Sequence, residues 1–321
     1  MANGKAESLT DRGAVWLELQ EFWRQMPSKR LFFSLLAGWL ILFQFLGNST
    51  FGYVDTPSLF GWMYYVFSTS PDDDLGLLVP IVVVALFWLK RKDLLATPKR
   101  EWWPGLALVG AGVLIHLLGF AVQQSRVSIV GFFTGLYGLM GMAWGPAWLR
   151  ASFFPYVLFV FCIPLGTMAD AITLPLRVIV ARVAVFISQT GLGIDVLREG
   201  SQIFDSRHTF AYEVAPACSG IRSLSSLLAL TIIYGFVTFR TNWKRVLIVL
   251  LAIPLAVLGN VLRLTGVIAV AEAFGQDAGK MVEHPSGFLT FAVSIAGLLG
   301  VATLLNRYAP EEPLPSRTSP A

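Results

Sequence analysis

The sequence predicts an all-α, polytopic integral membrane protein, and its composition supplies the evidence. Hydrophobic residues make up 55% of the 321 residues and charged residues only 14%, and the mean hydropathy is +0.66. Apolar runs of about twenty residues recur along the chain, and a helix of that length crosses the hydrocarbon core of a bilayer. A soluble protein with a core of this size is excluded.

The two ends of the chain differ from its apolar middle. Residues 1–30 carry mixed charges, so we predict a cytoplasmic segment with an amphipathic interfacial helix and no cleavable signal. Residues 31–305 are predicted to form the transmembrane domain. Residues 306–321 are rich in proline and predict a disordered cytoplasmic tail. The apolar face of the N-terminal helix consists of Val15, Trp16, Leu19, Phe22, Trp23 and Met26.

About eight apolar segments are predicted to cross the membrane. A ninth, residues 172–187, is ambiguous because Arg177 and Arg182 interrupt it and Pro175 lies near its start. No internal repeat is found. The predicted spans cover approximately residues 31–47, 75–89, 105–122, 127–145, 151–168, 221–239, 246–266 and 286–305.

Basic clusters predict the orientation, because cytoplasmic loops are enriched in Lys and Arg. A crossing by residues 172–187 would move the cluster at 240–245 outside, against that rule. We therefore predict that residues 172–187 form an outer-face interfacial or re-entrant helix. Cys218, Arg263 and His284 then all reach the outer membrane surface. The cytoplasmic ends are marked by basic residues at 29–30, 90–92, 99–100, 150 and 240–245.

Cys218 is the candidate nucleophile. It directly precedes an apolar helix predicted to begin near Ile221, where unpaired backbone N–H groups and the helix dipole favour a thiolate. Ser219 adjoins it, and Arg222, one turn later, adds positive potential on the same helical face. Glu213, five residues upstream, either orients a base or contacts solvent, and both interpretations stay open.

Arg263 and His284 are the candidate partners of this cysteine. Asn260 and Arg263 are three residues apart on one helical face, so the guanidinium could donate to a developing oxyanion while the amide orients it. His284, on a predicted polar loop with Pro285 and Gly287, could exchange protons near neutral pH. The alternatives are a snorkelling arginine and an ordinary loop histidine.

Other candidates have simpler interpretations. Cys162, within an apolar run, is predicted to be a buried hydrophobic residue, with a disulfide to Cys218 as the alternative. His116 is predicted to be a packed or interhelical hydrogen-bonding residue, and His208 is the rival base. The run Asp72 to Asp74 predicts a solvated loop. No metal site and no cofactor are predicted.

These motifs carry a family resemblance. The chain resembles the exosortase and archaeosortase family over about residues 76–291, in the motif Ala217 to Arg222, in Asn260-Val261-Leu262-Arg263, and in His284 followed by Gly287-Phe288. The proline-bearing runs at 154–165 and 174–176 resemble it less specifically. The resemblance implies an integral membrane cysteine protease or transpeptidase whose catalytic set is Cys218, Arg263 and His284.

The resemblance also implies the partners and the location. Expected substrates are exported proteins with a C-terminal sorting signal of PEP-CTERM type and a transmembrane helix, cleaved at the periplasmic or exterior face of a prokaryotic plasma (inner) membrane. Membrane lipids are further partners. The net charge of +4 lies in short clusters, so no nucleic-acid partner is expected. Two alternatives are a transporter using Arg263 and His116, and a non-enzymatic envelope or exopolysaccharide assembly factor.

Overall fold

In its described residues, the computed structural model is built almost entirely of helices, with one small sheet. It describes residues 16–18, 20–50, 53–70, 73–166, 168–200, 202–205, 211–213, 221–239 and 241–310. The chain divides into two compact units, Met1–Pro164 and Leu165–Ala321. The boundary falls inside the transmembrane domain predicted for residues 31–305.

The first unit consists of helices and their short connections. Residues 16–18 and 20–25 are helical and precede the first long helix. A 3-10 turn, Leu158–Cys162, extends the last helix of the unit. The helices are α1 (Lys29–Leu46), α2 (Leu59–Thr69), α3 (Leu75–Leu89), α4 (Arg91–Ala96), α5 (Gly105–Ala121), α6 (Ser125–Trp144) and α7 (Pro146–Val157).

Small residues allow α5 and α6 to pack closely. A Cβ atom added to Gly112 would lie 2.7 Å from the carbonyl oxygen of Gly131, so only glycine fits at this crossing. Such close backbone approach is the usual way in which membrane helices associate, because lipid provides no hydrophobic driving force between them. Trp39 of α1 fastens a third helix to the pair, since its indole N–H donates to the Phe132 carbonyl oxygen at 3.1 Å.

The N-terminal helical segment packs partly on the first unit. Met26 is 6% exposed and Phe22 contacts the core, whereas Trp16 and Trp23 are more than half exposed. Part of the predicted apolar face therefore contacts the protein core, and part of it is exposed. Its interfacial position in a membrane stays a prediction.

The described part of the second unit contains four long helices and a three-stranded antiparallel sheet. The sheet has the strand order β1-β2-β3, with Val196 opposite Asp205 and Ile203 opposite Tyr212. The elements are α8 (Met168–Gly191), β1 (Val196–Glu199), β2 (Gln202–Asp205), β3 (Ala211–Glu213), α9 (Ile221–Thr238), α10 (Asn242–Phe274) and α11 (Gln276–Tyr308).

The apolar helices agree with the predicted membrane class but do not confirm a count of eight. Among the described residues, five helices are long and apolar enough to cross a membrane, and four shorter apolar helices lie at 75–89, 105–121, 146–162 and 224–238. One of the five is Leu174–Gly191, within α8. Residues 172–187 thus belong to one continuous helix with Pro175 inside it, and its predicted interfacial or re-entrant position stays a prediction.

Candidate active site

Three helices of the second unit, α9, α10 and α11, pack side by side in alternating directions. Leu227 of α9 packs with Ala252 and Ala256 of α10, and Gly235, two turns later in α9, lies against Arg245, near the start of α10. The two helices are therefore antiparallel. The beginning of α9, at residue 221, lies toward the part of α10 that follows Ala256.

Close packing of α10 on α11 brings polar groups of both helices together. A Cβ atom added to Gly259 would lie 2.8 Å from Thr290 Cγ2 and 2.9 Å from Ser294 Oγ. Ser294 also donates a hydrogen bond to the Leu255 carbonyl oxygen at 3.1 Å. Because no side chain separates the helices at Gly259, groups one turn further along α10 can reach α11 directly.

Arg263 makes that contact. Its Nε–H donates to Ser286 Oγ at 3.1 Å, and an ideal Cβ atom on Gly287 would lie only 3.8 Å from Nη1 of Arg263. The guanidinium is partly buried, and Ser286 is 9% exposed. Ser286 was not among the predicted site residues. Nothing in the sequence pattern distinguished it except its position two residues after His284.

Asn260 is buried and belongs to the same turn as Arg263. Its amide Nδ2 donates to the Ala256 carbonyl oxygen at 2.9 Å, within its own helix. Ser286, on the neighbouring helix, holds the guanidinium through the Nε–H bond. The orienting role predicted for the Asn260 amide stays a prediction.

His284 lies in α11, so the predicted loop at this position is wrong. Gly275, with a φ of 91°, alone separates the end of α10 from the start of α11. This left-handed conformation suits glycine and turns the chain in one residue. The polar residues that follow therefore extend α11 at its N-terminal end. The side chain of His284 is not among the parts of the chain that the structure describes.

Cys218 also lies outside the described residues, as do Ser219 and His208. Cys218 is three residues before Ile221, the first residue of α9. The start of α9 lies toward the part of α10 that follows Ala256, and the proximity of Cys218 to Arg263 stays a prediction.

The two remaining supporting residues are described only by their backbones. Arg222 is the second residue of α9. Glu213 ends β3, where it pairs with Gln202 of β2. Their side chains are not described, so their predicted roles stay predictions.

The sheet packs next to the segment of α10 that follows Arg263. Val196 and Ile203 are fully buried in a cluster with Ala181 of α8 and with Val267 and Ile268 of α10. The Gln189 amide of α8 donates to the Val196 carbonyl oxygen at 2.8 Å, which holds the start of β1 against the helix.

Arg177 lies on α8 one turn before the cluster residue Ala181. It is only 7% exposed, whereas the sequence pattern showed it only as an interruption of an apolar run. A buried charge in such a run is costly and is by default a hypothesis of function, and that rule could have drawn attention to Arg177.

The simpler predictions for the first unit are largely confirmed. His116 is buried, and its Nδ1 lies 3.0 Å from Ser128 Oγ on α6, as expected of an interhelical hydrogen bond. Cys162 is a buried free thiol, so the alternative disulfide is not formed. The acidic run is not uniformly solvated, however, because Asp73 is buried and accepts a hydrogen bond from Ser70 Oγ at 2.9 Å.

The described residues contain no group of three or more His, Cys, Asp or Glu side chains that could hold a metal ion.

Comparison with curated proteins and with solved structures found no match. The chain does match the family model described as Transmembrane exosortase (Exosortase_EpsH) over residues 62–300. This range contains Cys218, Arg263 and His284, and it accords with the apolar helices of an integral membrane protein. The chain belongs to the transmembrane exosortase family.

Proposed function

We propose that this protein is a membrane-embedded cysteine protease or transpeptidase. It cleaves the C-terminal sorting signal of exported proteins at the outer face of the membrane and forms a thioester on Cys218. Family membership supports the reaction class. The observation that carries the residue assignment is the position of the Arg263 guanidinium. It donates to Ser286 and lies 3.8 Å from the Cβ position of Gly287, which is one helical turn after His284 on the neighbouring helix.

The reaction begins with attack by the Cys218 thiolate on the carbonyl carbon of the scissile peptide bond. Negative charge then develops on the carbonyl oxygen, and Arg263 donates hydrogen bonds to it. His284 transfers its proton to the leaving nitrogen as the C–N bond breaks. The products are a thioester on Cys218 and a released amine that carries the C-terminal helix of the substrate.

The thioester is resolved by a second nucleophile. An acceptor amine gives transpeptidation and water gives hydrolysis. In either case the neutral His284 takes a proton from the nucleophile, and the Cys218 thiolate leaves as the C–S bond breaks. The proton and charge balance is then restored for the next cycle.

Arg263 suits the proposed oxyanion role because of how it is held. A guanidinium carries five N–H donors in one plane, and the Nε–H bond to Ser286 uses one and constrains the plane. A donor that is oriented before the reaction loses little energy to reorganisation in the transition state. Partial burial also reduces competition from water.

The membrane itself assists substrate recognition. A substrate with a C-terminal transmembrane helix lies in the same bilayer as the enzyme, so the effective concentration of the cleavage site is raised without strong chemical affinity. The enzyme would lie in the inner membrane of a prokaryote with its active site facing the periplasm or exterior.

Replacement of the nucleophile tests this proposal. In membranes containing a reporter with a sorting signal, Cys218→Ser and Cys218→Ala should abolish processing while the protein remains in the membrane. Cys162→Ala is the matched control and should retain processing, because that thiol is buried elsewhere. Mass spectrometry should detect an acyl adduct on Cys218 of the wild type. Processing that survives in Cys218→Ala would exclude the mechanism.

A further inference from the structure

An apolar cavity of about 270 Å³ lies in the first unit beside the N-terminal helical segment. Phe22 of that segment, Phe87 of α3, Leu94 of α4 and Trp148 of α7 contribute to its walls. Four separate parts of the chain therefore meet around a space that has almost no polar lining. The cavity is open at one side, where Val84 is 67% exposed, so an apolar group can enter it from outside.

Charged groups stand at the edge of this cavity. Arg91 and Glu18 both line it, and the Arg91 Nε–H donates to Glu18 Oε2 at 2.9 Å. The Arg91 guanidinium also lies 4.5 Å from the centre of the Trp88 ring, where cation–π attraction holds it. The cavity thus combines an apolar interior with a charged rim, as a binding site for an amphiphile requires.

Basic residues predominate in the chain segment that contains Arg91. Residues 90–101 carry five basic and two acidic side chains. Among them, the Lys99 ammonium lies 5.3 Å from the centre of the Phe22 ring, which lines the cavity. Burial lowers the pKa of Lys99, and the charge of Glu21 opposes this effect. A partly desolvated ammonium of this kind gains stability from a nearby anion.

The same basic cluster predicts that this end of α3 is cytoplasmic. The cytoplasmic leaflet carries anionic lipids, and basic pockets beside membrane helices bind their head groups. We infer that the cavity is a binding site for an anionic phospholipid, with one acyl chain among Phe22, Phe87 and Trp148 and the phosphate at Arg91. The lipid ties the N-terminal segment to α3, α4 and α7.

The retained lipid can be measured on the full-length protein. The protein would be purified in detergent, stripped of lipid, and mixed with equal amounts of phosphatidylglycerol and phosphatidylcholine before native mass spectrometry. One phosphatidylglycerol should be retained per chain in preference to phosphatidylcholine. Arg91→Gln should weaken that retention about fivefold, whereas Arg150→Gln, a basic residue that does not line the cavity, should leave it unchanged.

A second pair of variants tests the acyl-chain position independently of charge. Val84 lines the cavity and is 67% exposed, so Val84→Trp can fill the opening without disturbing the core. It should reduce retention, whereas Leu78→Trp, at an exposed site on the same helix, should not. Equal retention of the two lipids would overturn the anionic assignment. Retention that is insensitive to Val84→Trp would overturn the cavity as the site.

Discussion

Arg263 of α10 donates a hydrogen bond to Ser286 of α11 across 3.1 Å, and both residues are shielded by the contact of their helices. The guanidinium is thereby anchored to the helix that also carries His284. Arg263 is proposed to stabilise the oxyanion and His284 to protonate the leaving amine. Both residues therefore belong to the same pair of packed helices, α10 and α11.

Replacement of Arg263 by lysine should lower turnover more than substrate association. Lysine keeps the charge but loses the planar fork, and the oxyanion exists only in the transition state. We expect kcat to fall about a hundredfold, as when an oxyanion-hole donor is removed, with KM little changed. Ser286→Ala should reduce kcat by about tenfold at most. A rise in KM at unchanged kcat would instead assign Arg263 to substrate binding.

The proposed acid-base role predicts a bell-shaped pH profile of turnover. Activity falls at low pH because Cys218 becomes a thiol, and it falls at high pH because His284 loses the proton needed by the leaving amine. His284→Ala should remove the alkaline limb, whereas His208→Ala should keep it. The opposite result, with the alkaline limb lost only in His208→Ala, would transfer the role to His208.

Reporter fusions should establish whether α8 crosses the membrane. The basic cluster at 240–245 predicts that it does not, so fusions at Leu165 and Asp205, before and after α8, should both report the extracytoplasmic side. A fusion at Thr241, after α9, should report the cytoplasm. Opposite sides for Leu165 and Asp205 would make α8 a true span, and Cys218 would then lie at the cytoplasmic face.

Gly259 should be intolerant of any side chain. A Cβ atom at this position would meet Thr290 Cγ2 at 2.8 Å, so Gly259→Val must push α10 and α11 apart. Overpacking of this kind costs about 1–3 kcal/mol, and the loss should be visible as a lower midpoint of thermal unfolding in detergent. Gly266→Val is the matched control, because nothing lies within 4 Å of its Cβ position. Equal destabilisation by both variants would contradict the close packing.

Hydrophobicity predicted where helices lie better than where they end. The predicted span at 75–89 coincides with α3, because its apolar run begins and ends with the helix. Both α10 and α11 extend to 33 residues, well beyond the apolar runs at 246–266 and 286–305. Their polar ends carry no hydropathy signal, and the tight turn at Gly275 depends on backbone geometry rather than composition.

Contacts between elements that are distant in the sequence could not be predicted either. The strands at 196–213 are only three or four residues long and were not predicted, since so short an alternation gives no reliable period. Arg263 was selected from a local motif, but its partner Ser286 lies 23 residues away on another helix. Only the register of α10 on α11 shows that the two meet, and that register follows from the close approach of the two helices at Gly259.

The one-residue turn at Gly275 limits how the site can open. Helices joined by so short a connection behave as a stiff hairpin and cannot slide past each other without breaking the turn. Arg263 and the backbone of His284 must therefore keep a nearly constant separation during the catalytic cycle. Any widening of the proposed site that admits a polypeptide would therefore come from movement of α9 relative to the α10–α11 hairpin.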